Sequence, residues 1–145
     1  MDAKKRAEMV YHYLNITGLK DFADFYPREL SGGMQQRVAI ARTLANNPKI
    51  LLMDEPFGSL DSQTRSKMQE FLISLWEKEH KTILFVTHDV EEAIFLADTV
   101  HVVTHRPMQI KKSYRVPFPR PRIHRLKFSQ DFFDLRNMIM GDLEK

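Results

Sequence analysis

The sequence predicts an α/β fold, a mostly parallel sheet with flanking helices, and three observations carry that reading. Residues 49–53 and 82–87 are continuous apolar runs of strand length, the pattern expected where both faces of a parallel strand are covered. Between them lies an amphipathic stretch in which Met68, Phe71, Leu72, Leu75 and Trp76 stand at i, i+3, i+4, i+7 and i+8, one apolar face of a helix. Strand, helix, strand in that order is a βαβ unit, whose crossover is nearly always right-handed and whose two strands run parallel.

Taken in order, residues 3–16 read as a helix whose inner face is Ala7, Val10 and Leu14, with Gly18 as its stop. Residues 19–29 form an aromatic connector, with Phe22, Phe25 and Tyr26 expected to pack against neighbouring helices. Met34 to Ala45 contains neither proline nor glycine and reads as a second helix, ended by Asn46-Asn47-Pro48 because the residue before proline avoids helical geometry. After the βαβ unit, Asp89 begins a helix with Glu92 three residues on, a capping-box analogue. Its inner face is Val90, Ala93, Ile94 and Ala97, and Asp89 is a cap rather than a catalyst. Strands are expected at 99–104 and 109–116, a proline-broken segment over Pro117, Pro119 and Pro121, and a terminal helix over 128–143.

Composition bounds the function. The 145 residues are 43% hydrophobic, enough for one domain's core. No run is long and apolar enough for a membrane span or a signal-peptide core, so an intracellular location is expected. The chain has no cysteine, which excludes disulfides and thiolate metal sites, and its histidines do not fall in a His-Glu-x-x-His pattern. Charge is unevenly spread: residues 1–98 carry 12 basic and 15 acidic side chains, residues 99–145 carry 10 and 4. Eight of those basic residues lie between Arg106 and Lys127 with no acid among them. Neither a helix-turn-helix nor an aromatic RNA-binding motif accompanies them, so nucleic acid is not an expected partner.

Two stretches carry chemistry. Ser31-Gly32-Gly33 precedes a helix, whose first amides lack intrahelical partners and whose dipole favours an anion. Glycines there would admit a phosphate, though an ordinary serine cap explains the same residues. Asp54 and Glu55 follow directly on an apolar strand, at the sheet edge where open α/β sheets bind ligands. On an extended chain alternate side chains diverge, so one carboxylate would face a hydrated magnesium ion and the other an attacking water. His88 ends the second strand and would emerge at the same edge.

Together these residues resemble the ATP-binding-cassette (ABC) ATPases, partial here within the P-loop NTPase fold. Leu30-Ser31-Gly32-Gly33-Met34-Gln35-Gln36-Arg37 is similar to the signature motif, Ile50 to Glu55 to the Walker B strand and its glutamate, Ser59-Leu60-Asp61 to the D-loop, and His88 to the switch histidine. Arg106-Pro107 and Phe118-Pro119-Arg120-Pro121-Arg122 resemble the importer subgroup serving nitrate, sulfonate and taurine. The resemblance implies catalytic roles for Glu55 and His88. It implies ATP contacts in trans from Leu30, Ser31, Gly32, Gly33 and Gln35, dimer coupling by Asp61, and Mg²⁺ held through water by Asp54. It implies ATP and Mg²⁺ as cofactors, and as partners a second ATPase subunit in a homodimer-like pair, a transmembrane permease and, indirectly, a periplasmic or lipoprotein substrate-binding protein. The chain would sit in the cytoplasm, peripheral on the inner face of the membrane. Residues 1–47 would be part of the helical signature subdomain, 48–116 a partial RecA-like core, and 117–145 a basic C-terminal extension and helix.

One family element is missing from the 145 residues. The glycines are Gly18, Gly32, Gly33, Gly58 and Gly141, none followed by lysine, so there is no Gly-x-x-x-x-Gly-Lys-Ser/Thr phosphate loop. The implied sheet then lacks the strand between the one ending at His88 and 99–104, which would either pair directly or leave an apolar slot. Two readings follow: a truncated ATPase subunit inactive by itself, or a non-catalytic modulator binding a complete ATPase through its signature face.

Overall fold

The computed structural model describes residues 2–144. The chain divides into two compact units, residues 1–84 and 85–145.

The first unit contains α1 (Ala3–Ile16), α2 (Gly32–Leu44), β1 (Ile50–Asp54), α3 (Ser62–Glu79) and the first residues of β2 (Thr82–Val86). Helix α1 stops as expected. Gly18 takes φ +68 and Leu19 N donates to Leu14 O at 2.7 Å, a left-handed closure that glycine adopts without steric cost. Its inner face differs from the expected one: Tyr13 is buried, whereas Ala7 and Val10 are exposed. The connector differs too. It folds into two short 3₁₀ turns, Lys20–Phe22 and Pro27–Glu29. Phe25 and Tyr26 lie exposed, and the ring contact of Phe25 is with Phe22, 5.4 Å away. Each 3₁₀ turn is a single three-residue turn, too short to build an apolar face that packs against a helix.

Helix α3 buries Met68, Leu72 and Leu75 as its periodicity predicts, together with Gln69 and Ile73, while Phe71 and Trp76 are half-buried. Arg37 of α2 lies over the Phe71 ring at 4.7 Å, which keeps that ring at the edge of the helix pair. Strand β1 pairs with β2, so the two apolar runs are neighbours. The expectation that both faces of these strands are covered does not hold. In β1 only Leu51 and Met53 are buried, Ile50 and Leu52 being exposed, and no residue of β2 is fully buried. Among the described residues the Ile50 and Leu52 face of β1 is exposed, and an apolar run alone does not supply the layer that would cover it.

The second unit holds α4 (Val90–Leu96), β3 (Thr99–Val103), β4 (Ile110–Arg115) and α5 (Gln130–Leu143). Strands β3 and β4 form an antiparallel hairpin with Val100 opposite Tyr114 and a bulge at Val102/Val103. Thr104 closes its loop: the hydroxyl donates to Pro107 O at 2.9 Å and accepts from Gln109 N at 3.1 Å. The described strands form two two-stranded sheets, β1 with β2 and β3 with β4. Phe95 and Leu96 join Val90 and Ile94 in burial on α4, leaving Ala93 and Ala97 half-buried rather than central. Phe132 and Ile139 of α5 are fully buried in this unit.

Candidate functional site

The amino terminus of α2 is built from the Ser31-Gly32-Gly33 stretch. Ser31 is extended and its Oγ accepts from Met34 N at 3.4 Å, while Gln35 N donates to Ser31 O at 2.9 Å to begin the helical ladder. Ser31 therefore acts as the cap that the simpler reading predicted. The cap does not use the amides of Gly32 and Gly33, which belong to the first turn, where no intrahelical acceptor exists. Ser31 and Gly32 are exposed and Gly33 is buried, so the helix start meets solvent on one side and the core on the other.

The two glycines are not equivalent. A Cβ on Gly32 would meet Leu60 Cδ2 at 3.5 Å, an ordinary contact, whereas one on Gly33 would meet Thr64 Cγ2 at 2.9 Å. Gly33 is thus required for the close approach of α2 to α3. That constraint crosses 31 positions of sequence, and spacing alone gave no sign of it. Gln35 is also tied inward: its Nε2 donates to Pro27 O at 3.0 Å and Leu30 O at 3.1 Å. It holds the turn before Ser31 in place, and Leu30 is buried beneath that turn.

At the end of β1 the carboxylates leave the strand in different ways. Asp54 is its last residue and is exposed. Glu55 takes φ +42, so strand alternation does not orient it as expected. The chain has already turned left-handed there, in a tight loop where Gly58 N donates to Glu55 O at 3.1 Å. A non-glycine residue in this region stores strain. A Cβ on Gly58 would lie 3.5 Å from Glu55 O and 3.6 Å from Glu55 Oε2, ordinary contacts, so the loop packs closely against this glutamate without requiring glycine there.

Asp61 caps α3, its Oδ1 accepting from Gln63 N at 3.1 Å and Thr64 N at 3.0 Å. Hydrogen bonding by Thr64 holds its carboxyl below the usual aspartate value. Arg65 steadies the same loop, donating from Nη2 to Leu60 O at 3.0 Å, a role with no signal in the motif. Thr64 of α3 therefore touches both sequence motifs, as a bond donor to Asp61 and as the steric neighbour of Gly33.

In the second unit His88 stands between β2 and α4, beside the expected Asp89 cap, whose Oδ1 accepts from Glu91 N at 2.9 Å and Glu92 N at 3.1 Å; the Asp89 amide is bonded to Thr87 rather than to Glu92. Thr87 Oγ1 accepts from Asp89 N at 3.0 Å, fixing the backbone on either side of the histidine.

The sequence matches a profile of the family described as ABC transporter over residues 2–58. Over 140 residues it is 49% identical to an uncharacterized ABC transporter ATP-binding protein of Methanocaldococcus jannaschii, covering 97% of this chain and 51% of that protein. The chain belongs to the ABC transporter ATPase family. A second relative of this ABC ATPase chain, the nitrate import ATP-binding protein NrtD of Synechocystis, is 48% identical over 136 residues, covering 90% of the chain and 51% of NrtD. A bacterial ABC transporter cassette solved as a dimer superposes with a TM-score of 0.61 at 36% identity, over 81% of the chain and 50% of the cassette. The chain thus has the α/β fold of the ABC ATPase domain in part, and spans about half the length of the curated relatives it matches. The profile match takes in the Leu30–Arg37 stretch and both carboxylates, and ends before Asp61 and His88.

Proposed function

We propose that the chain is the signature-bearing and Walker B-bearing part of the ATP-hydrolysing subunit of an importer for nitrate-, sulfonate- or taurine-like solutes. The observation that carries this reading is the start of α2, where an exposed serine and glycine precede first-turn amides that the cap leaves unused. Such a helix end takes a phosphate on its amides and dipole, and the phosphate would belong to ATP held by the opposite subunit of a homodimer-like pair. Ser31, Gly32 and Gly33 make the contact; Leu30 and Gln35 hold the turn that presents them.

Asp54 fits a magnesium ion that keeps most of its water shell and takes one or two carboxylates beside the phosphates. When bound, the ion supplies charge neutralisation on the phosphoryl oxygens. Glu55 orients the attacking water and takes its proton, His88 bridges the terminal phosphate and the partner subunit, and Asp61 transmits between the paired sites while capping α3. In this reading residues 1–47 belong to the signature subdomain, 48–116 to the RecA-like core and 117–145 to a basic extension. The working assembly lies on the cytoplasmic face of the membrane with a permease, supplied by a substrate-binding protein. A second reading, in which the chain modulates a complete ATPase through its signature face, is favoured by one observation: no phosphate loop occurs among the 145 residues.

Titration of Mg-ATP into the purified chain is expected to show no saturable binding at micromolar concentrations, because nothing in it replaces that loop; a micromolar Kd overturns this. For the signature helix, a full-length importer ATPase whose own signature serine is changed to arginine should regain hydrolysis when the chain is added. Ser31→Arg in the chain should remove the gain. Absence of any gain with the unsubstituted chain contradicts action in trans.

A further inference from the structure

The second unit carries a groove outside the nucleotide chemistry. Phe118, Pro119, Pro121, Ile123, Leu126 and Phe128 line an open recess of about 580 Å³. Its walls are fixed from behind. Arg122, itself buried, donates from Nε and Nη2 to Phe118 O at 3.2 and 3.1 Å, and from Nη1 to the carbonyls of Ile94, Phe95 and Ala97. Phe118 stacks on Phe132 at 5.9 Å, and Ser129, at the groove's end, caps α5. A recess held this firmly gives up little conformational freedom when filled.

Two of its side chains stand out of the core: Phe128 is 87% exposed and Ile123 64% exposed. Apolar groups so placed at the edge of a recess mark a contact surface. The exposed charged side chain in the lining is basic, and the acids Asp98 and Asp131 are not part of the lining. Arg125 lines the groove and is exposed, and Arg120 and Lys127 adjoin it within the segment from Arg106 to Lys127 that has no acid. The nearest acid before it, Asp98, is already paired with Arg120 at 3.0 Å and lies 3.7 Å from Arg122.

We propose that this groove docks an acidic peptide segment of a partner protein, an aromatic or leucine side chain entering between Phe118 and Phe128 while flanking Asp or Glu residues face Arg125. An open recess of this size admits an apolar side chain together with the residues that flank it in a peptide.

The test is selection of a phage-displayed random dodecapeptide library on the full chain, followed by fluorescence anisotropy of the best synthetic peptide. Enriched sequences should combine an aromatic or leucine with neighbouring acids, and their affinity should fall with salt. Phe128→Ser and Arg125→Glu, both exposed and checked for an unchanged circular dichroism spectrum, should each weaken binding about tenfold or more. No enrichment, enriched peptides without acids, or peptides that bind both variants as well as the unsubstituted chain would overturn the proposal. So would the absence of peptide enrichment together with co-sedimentation on phosphatidylserine vesicles, or with retention of single-stranded oligonucleotide, that depends on these two residues.

Discussion

At the scale of single residues, the two glycines of the signature stretch separate a packing role from a binding role. A methyl at Gly33 collides with the Thr64 γ-methyl at 2.9 Å, and a β-branched side chain on a helix is stiff at χ1 and has little room to yield. Gly33→Ala should therefore push α2 off α3 and lower stability by about 1–3 kcal/mol in urea denaturation. Gly32→Ala meets only an ordinary contact with Leu60, and alanine favours the helix, so it should change stability by no more than about 1 kcal/mol, in either direction. Its effect should appear instead in the trans-complementation of the signature-defective subunit. Equal loss of stability in both variants would show that the steric difference does not matter. Asp61 offers a pH-dependent counterpart. Thr64 holds its carboxyl below the aspartate value of 3.8, so its stabilisation is present above that unfolded value and is lost as pH falls through the lower folded one. Asp61→Asn keeps a capping oxygen, so melting at neutral pH should barely change while the decline below pH 4 becomes shallower; an unchanged acid decline would remove Asp61 as a contributor.

At the scale of elements, helix ends decide what the sequence does and does not disclose. Gly18, Ser31, Asp61, Asp89 and Ser129 act locally, within a few positions of the residues they cap. Local chemistry of this kind is legible in a single sequence, and it marks where the helices begin and end. The carboxyl end of α4 works differently. Its carbonyls at Ile94, Phe95 and Ala97 are met by Arg122, and that of Leu96 by Arg120 at 2.6 Å, from more than twenty positions away. In the sequence those arginines are indistinguishable from the rest of a basic, proline-broken run. Replacing Arg122 with methionine keeps much of its volume but leaves buried carbonyls without a donor, and should destabilise the second unit by about 2–4 kcal/mol. Burial, reinforced by the neighbouring Arg120 and opposed by Asp98, lowers the Arg122 guanidinium to about 10. The group stays protonated throughout pH 6–8, so the loss on substitution should be the same across that range. A stability difference between the two chains that varies over this interval would contradict the assignment. The left-handed residues were also hidden. Glu55, Asn47 and His80 have φ of 42, 46 and 48, and nothing in their identity requires it. At the exposed end of α3, His80→Gly removes the left-handed penalty and should raise stability by up to about 1 kcal/mol, less the lost ring contact with Trp76.

At the scale of the whole molecule, the apolar runs that led to the α/β reading are the ones whose surroundings the sequence did not reveal. An apolar strand states that both of its faces belong under a layer, but not which segment forms the layer. In β1 one face is met by the first unit's core at Leu51 and Met53, while Leu52 on the other is 74% exposed and Ile50 57%. Leu84 of the paired strand is 56% exposed. Bare branched aliphatics on a short strand pair are an association liability, since little opposes their burial against another copy or against a hydrophobic dye. The same exposure means that replacing them removes almost no native packing. Ile50→Thr combined with Leu52→Thr places a β-branched residue suited to a strand at both positions and should alter unfolding free energy by no more than about 1 kcal/mol, because groups this exposed contribute little to the core. The double variant should bind less anilinonaphthalene sulfonate and sediment as a smaller species than the parent chain at the same high concentration. Two results would contradict this. One is a parent chain that stays monomeric and dark to the dye; the other is a double variant that unfolds several kcal/mol more easily, which would mean that the face is covered in solution and that Ile50 and Leu52 form part of a core.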